Sequence, residues 1–123
     1  MKNTRKYLLV IVFVSAILFA LSPYALAHAH PKVMVPAPDS TIASPPAVSV
    51  TFSEAVEPKF SSLHVTDEQG KQLTTAASVP VPNDPKTLTL ALPSLQPGGY
   101  LVHWVSVATD GHRMEGEYKF TVK

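Results

Sequence analysis

The chain has 123 residues, 46% of them hydrophobic and 15% charged, with five histidines, twelve prolines and no cysteine. The lack of cysteine excludes a disulfide framework, a thiolate metal site and thiol nucleophiles. Three of the ten Lys/Arg lie in the first six residues, leaving seven against nine Asp/Glu in the remainder, a balance that excludes the basic footprint of a nucleic-acid binder.

The first element is a leader. Lys2, Arg5 and Lys6 precede an uncharged, almost wholly apolar run from Leu8 to Leu21, and the small residues Ala25, Ala27 and Ala29 follow at alternate positions. Those three parts read as a secretory signal peptide. The run is short of the about 20 residues a membrane span needs, and an uncleaved anchor is the alternative. No second apolar run follows, so the expectation is a periplasmic or otherwise extracytoplasmic protein. Two cuts fit the small-x-small rule. One follows Ala27 and leaves His28 first; the other follows Ala29 and leaves His30 first. His30 is the working start, which divides the chain into a signal peptide, 1–29, and one domain, 30–123.

The domain reads as strands throughout. A first strand is expected near Lys32 to Val35, followed by the Pro/Ser-rich connection "APDSTIASPP". Val48, Val50 and Phe52 then alternate with Ser49 and Thr51, and Leu63 and Val65 alternate with Ser62 and His64. "DEQGK" has the composition of a hairpin turn, and "VPNDPK" that of a loop. Leu88, Leu90 and Leu92 alternate with Thr87, Thr89 and Ala91 before the loop "PSLQPGG". "GYLVHWVSVAT" is apolar on both faces, as a central strand is, with Trp104 expected as the core aromatic. Tyr118, Phe120 and Val122 alternate with Glu117, Lys119 and Thr121. Period-two patterns with no crossover helix predict an all-β fold, an Ig-like antiparallel β-sandwich or Greek-key barrel of about seven strands.

Chemistry concentrates in "TDGHRMEG". Asp110 and His112 flank Gly111 at the end of the central strand, and when the chain turns there the two side chains can reach one locus. A carboxylate and an imidazole suit a divalent metal of borderline softness; a solvated Asp-Gly turn is the plain alternative. A cut before His30 adds two donors from one residue, the α-amine and an imidazole nitrogen. The α-amine, with an ordinary pKa of about 7.7–8.0, deprotonates far more readily than a lysine. Amine and imidazole of His30, imidazole of His112 and an oxygen of Asp110 make a three-nitrogen, one-oxygen set suited to Cu(II). The other cut gives His28-Ala29-His30, whose third-position histidine can bind Cu(II) with the amine and two backbone amides without any fold. In His30-Pro31 the proline has no amide proton to lose.

Glu54 ends "VSVTFSE". It faces inward, as an outer-shell hydrogen-bonding group or weak ligand, if the strand runs that far, and is solvated if the strand stops at Ser53. His64 is expected exposed and His103 half-buried. Met34 and Met114 are too few and too separated for a thioether Cu(I) cluster. No G-x-S-x-G, H-E-x-x-H or phosphate-cradling loop occurs.

Taken together, "HPKV" after a signal peptide, "VTFSEAVEPKFS", "DPKTLTLALPSLQPGGYLVHWVSVATDGH" and "GEYKFTVK" resemble the CopC family of copper-resistance proteins, in family order over nearly the whole mature chain. The resemblance implies a small periplasmic β-domain that binds Cu(II) at its N-terminus. It places His30 at the N-terminal histidine ligand, Asp110 and His112 at the D-x-H ligands, and Glu54 at a glutamate near the copper. Some members also have a Met-rich Cu(I) loop; between Val65 and Pro85 this chain has no methionine. The expected function is therefore non-enzymatic: one Cu(II) bound, then sequestered or carried, with a CopD-type membrane copper transporter as the implied partner. Two alternatives stand beside it. An N-terminal histidine next to a second histidine also resembles the histidine brace of lytic polysaccharide monooxygenases, against which stand the short chain and the Asp110 carboxylate. The other is a metal-free Ig-like adhesion or assembly domain.

Overall fold

The structure, a computed structural model, describes residues 28–123. The expected signal peptide therefore lies outside the described residues, except for His28 and Ala29. Among the described residues eight strands form: β1 (Pro31–Val35), β2 (Thr41–Ile42), β3 (Ala47–Phe52), β4 (Ser62–Asp67), β5 (Val79–Val81), β6 (Asp84–Ala91), β7 (Gly98–Val107) and β8 (Arg113–Val122). They make two four-stranded sheets, ordered β1-β3-β6-β5 and β2-β8-β7-β4. The all-β sandwich expected from the sequence is the observed architecture.

Alternation explains why these segments pair and which face they bury. On β3, Val48, Val50 and Phe52 turn inward, while Ser49 and Thr51 remain half-exposed. Leu88 and Leu90 of β6 lie beside them, paired directly with Val50 and Val48. The facing sheet contributes Leu63 and Val65 of β4, Val102 of β7, and Tyr118, Phe120 and Val122 of β8. The two apolar inner faces close on each other as one core. β7 is central as expected, held by β4 on one side and along its whole length by β8 on the other.

Three details depart from the sequence reading. β2 emerges from the Pro/Ser-rich connection and runs parallel to β8, the one parallel pairing in otherwise antiparallel sheets among the described residues. The connection crosses from one sheet to the other, so its chain arrives alongside the end of β8 instead of turning back on β1; Asp39 and Thr121 backbone N–H groups fasten it, donating to the Lys119 and Ser40 carbonyls. The segment around "VPNDPK" is a tight hairpin: β5 pairs with β6 across a turn in which Asn83 has φ 63°. Trp104 is half-buried, and the largest fully buried side chains are Phe52 and Phe120. Its indole lies over Gly116, its cross-strand neighbour, and meets the Phe52 ring edge-on at 5.9 Å.

Candidate metal centre at the β7–β8 turn

Ten-residue strands paired in continuous register make β7–β8 a stiff arm, and its turn is tightly specified. The Ala108 N–H donates to the His112 carbonyl, and the Gly111 N–H donates to the Ala108 carbonyl. Gly111 adopts φ 89°, a conformation that side-chain-bearing residues rarely take. Asp110 then folds back on the turn: its Oδ1 accepts the His112 N–H at 3.1 Å, and its Oδ2 lies 2.9 Å from His112 Nδ1. The sequence expected this convergence of Asp110 and His112, and the turn produces it. The backbone N–H of His112, and next its ring, hold the Asp110 carboxyl below the usual carboxylate range. Asp110 is thus an anion at neutral pH, exposed at one end of the sandwich.

The segment that precedes β1 lies against this turn. His28 is exposed, and its ring meets the His112 ring edge-on with centroids 5.1 Å apart. Ala29, the next residue, is wholly buried and belongs to the core. Its carbonyl accepts a 2.5 Å hydrogen bond from Ser106 Oγ of β7. The His30 N–H donates to Ser53 Oγ, the Ser53 N–H donates to the His30 carbonyl, and Ser53 Oγ also lies 3.2 Å from the His28 carbonyl. The His30 ring turns back along its own chain, with Nδ1 3.2 Å from the His28 carbonyl.

His28 is thus the histidine that meets the Asp110–His112 pair, while no hydrogen bond or ring contact joins His30 to that pair among the described residues. Both cuts that fit the small-x-small rule flank Ala29, and Ala29 itself is buried. Glu54 lies in the bend after β3, which ends at Phe52, and is half-buried. Among the described residues its carboxylate makes no hydrogen bond. Among the described residues, no three His, Asp or Glu side chains converge there as a ready-made metal cage. His28, Asp110 and His112 are neighbours whose donor atoms do not yet share one focus.

The remaining histidines form a different feature. His103 is half-buried, its Nδ1 3.2 Å from Glu117 Oε2 and its Nε2 3.0 Å from Thr66 Oγ1, and the exposed His64 is its cross-strand neighbour on β4. Met34 and Met114 lie in different sheets, on β1 and β8.

Fold and site together define a small β-sandwich domain with imidazole and carboxylate donors gathered beside the segment that leads into β1. Residues 32–123 match the CopC domain, and the chain belongs to the CopC family. It is 36% identical over 123 residues to protein YobA of Escherichia coli K12, covering 98% of this chain and 96% of that protein. It is 35% identical over 106 residues to copper resistance protein C of Escherichia coli, covering 80% of this chain and 84% of that one. The crystal structure of CopC from Methylosinus trichosporium OB3b superposes with a TM-score of 0.74 at 34% identity, covering 78% of this chain and 94% of that one. The family and its named members tie the chain to copper resistance.

Proposed function

We propose that this protein binds one Cu(II) at its processed N-terminus and sequesters or carries copper outside the cytoplasmic membrane, without catalysing a reaction. The observation that carries the reading is the contact of the His28 ring with His112, itself joined to Asp110. A cut after Ala27 turns His28 into a chelating terminus with an amine and an imidazole. With the His112 imidazole and an Asp110 oxygen, copper receives three nitrogens and one oxygen in the tetragonal set that Cu(II) favours. A cut after Ala29, which makes His30 the terminal ligand, removes a residue that the core otherwise encloses. Support for the earlier cut is therefore structural. His30 is then the third residue of the chain, outside the ligand set, and Glu54 serves as a hydrogen-bonding group near the copper.

The donors are hard to borderline, so reduction to Cu(I) weakens binding. Acid weakens it as well, because amine and imidazoles bind only when deprotonated. The leader supports export to the periplasm, and the family resemblance supports delivery to a CopD-type membrane copper transporter.

Intact-mass measurement of the exported protein, with and without Cu(II), tests both the cut and the stoichiometry. The expected species begins at His28 and gains one copper with a nitrogen-rich EPR spectrum. A chain beginning at His30 overturns the His28 assignment. His112→Ala is expected to weaken Cu(II) binding by about a factor of 100 or more, at or beyond the top of the range for losing a residue that only supports a ligand, because here a ligand itself is lost. Wild-type affinity in that variant overturns the copper site itself.

A further inference from the structure

We propose that Ser106 is a positioning residue for the metal centre: a buried latch that holds the N-terminal segment so that His28 is presented to Asp110 and His112. The proposal rests on the copper reading above.

Ser106 interrupts an inward-facing row on β7 that otherwise holds Tyr100, Val102 and Trp104. It is wholly buried, and a buried hydroxyl without a partner is costly where an alanine would cost nothing. Its partner is the Ala29 carbonyl, 77 residues away in sequence, at 2.5 Å. Ala29 is also wholly buried, so without Ser106 its carbonyl loses this partner inside the core. The bond joins the central strand of one sheet to the segment that leads into β1 of the other. Packing alone does not require it; it fixes where the N-terminal chain runs.

Ser53 grips the same segment from the half-buried side, through the His30 N–H and the two carbonyls that flank Ala29. Held on both sides, the chain leaves the core at one point, with His28 as the first residue outside. The donors it meets are on the same arm as the latch: Asp110 is four residues beyond Ser106. One hairpin therefore holds Ala29 and offers Asp110 and His112 to its neighbour. The ordering of the segment is met during folding, so copper finds the terminus already at the site. A terminus free of the latch would have to be ordered by the metal.

The test uses mature protein and compares Ser106→Ala, Ser106→Thr and His112→Ala with the wild type. Three quantities are read: Cu(II) affinity against a chelating competitor, the EPR spectrum at saturation, and amide exchange at His30 before copper is added. Ser106→Ala is expected to fold, to bind Cu(II) about tenfold more weakly, as loss of an outer-shell partner does, and to exchange the His30 amide faster. Its saturated EPR spectrum stays that of the wild type, because no ligand has been removed; a global structural defect would not leave it so. Ser106→Thr keeps the hydroxyl and recovers most of the affinity. A folded Ser106→Ala protein with wild-type affinity and wild-type His30 exchange overturns the latch. Should Ser106→Ala not fold, Ser53→Ala decides from the half-buried side: faster His30 exchange with weaker copper binding supports the held segment, and no change in either overturns it. Wild-type binding by His112→Ala condemns the copper reading instead, and His30 exchange then decides the latch alone.

Discussion

Tyr118 lies in the core of β8 with its hydroxyl buried and, among the described residues, unpartnered. Burial pushes its phenol up to about 12 from an ordinary 10. The fold thus favours the neutral phenol, while the unfolded chain ionises near 10. Stability from this group is present below pH 10 and is lost as pH rises towards 12. Tyr118→Phe is expected to match or exceed wild-type stability at pH 7 and to lose less of it between pH 10 and 12. Urea midpoints at both ends check this; a clearly lower midpoint at pH 7 would show that the hydroxyl has a partner after all. Phe52 behaves oppositely. It is fully buried and packs edge-on against Trp104, so Phe52→Ala is expected to cost about 3–5 kcal/mol in chemical denaturation. The inward place of Phe52 was legible from parity with Val48 and Val50. The incomplete burial of Trp104 was not, because it depends on a glycine across the strand pair, and parity carries no information about the size of the gap opposite.

At the scale of the element, the β7–β8 hairpin carries both the candidate ligands and two glycines with separate duties. Gly111 supplies the left-handed turn residue between Asp110 and His112. Gly111→Ala meets no steric neighbour but must hold φ 89°, at a cost of about 1–2 kcal/mol. It is expected to lower stability by that amount and to weaken Cu(II) binding, because the turn spends less time presenting the pair. Denaturation and copper competition on one sample check both. Gly116 has the opposite constraint: an added Cβ would lie 2.6 Å from Trp104 Cζ2, so Gly116→Ala must displace the indole from Phe52, a change read directly in tryptophan fluorescence. An unshifted emission spectrum would contradict the packing described. β7 was expected from its run apolar on both faces, and the second half of β8 from the alternation of Tyr118, Phe120 and Val122. β2 and β5 were not, because they are only two and three residues long, and β5 has a proline at its centre, so neither shows a period. They become strands only by pairing with β8 and β6, which supply the hydrogen bonds their own sequences do not announce.

At the scale of the whole molecule, the proposed copper site sits across the two sheets. His28 leads into β1 of one, and Asp110 and His112 belong to the hairpin of the other. Bound Cu(II) would join them, and a ligand held only by the folded state at 100 times its Kd stabilises that state by about 2.7 kcal/mol. For a domain of this size the melting temperature is expected to rise on the order of 10 °C. Scanning calorimetry checks the rise, which EDTA should reverse and His112→Ala should abolish. An unchanged melting temperature with copper demonstrably bound would show that the ion does not bridge the sheets.

The sequence by itself determined that the domain is an all-β sandwich, which faces of its longer strands are buried, and that Asp110 and His112 share a turn. These are local properties, carried by period-two alternation and by the backbone demands of a short Asp-Gly-His stretch. Tertiary structure alone decided which histidine meets that pair. Both cuts obey the same small-residue rule, and nothing local separates Ala27 from Ala29. Ala29 is distinguished because β7, 77 residues away, encloses it and offers its carbonyl the Ser106 hydroxyl. Burial and partnership of that kind exist only once the sheets have closed.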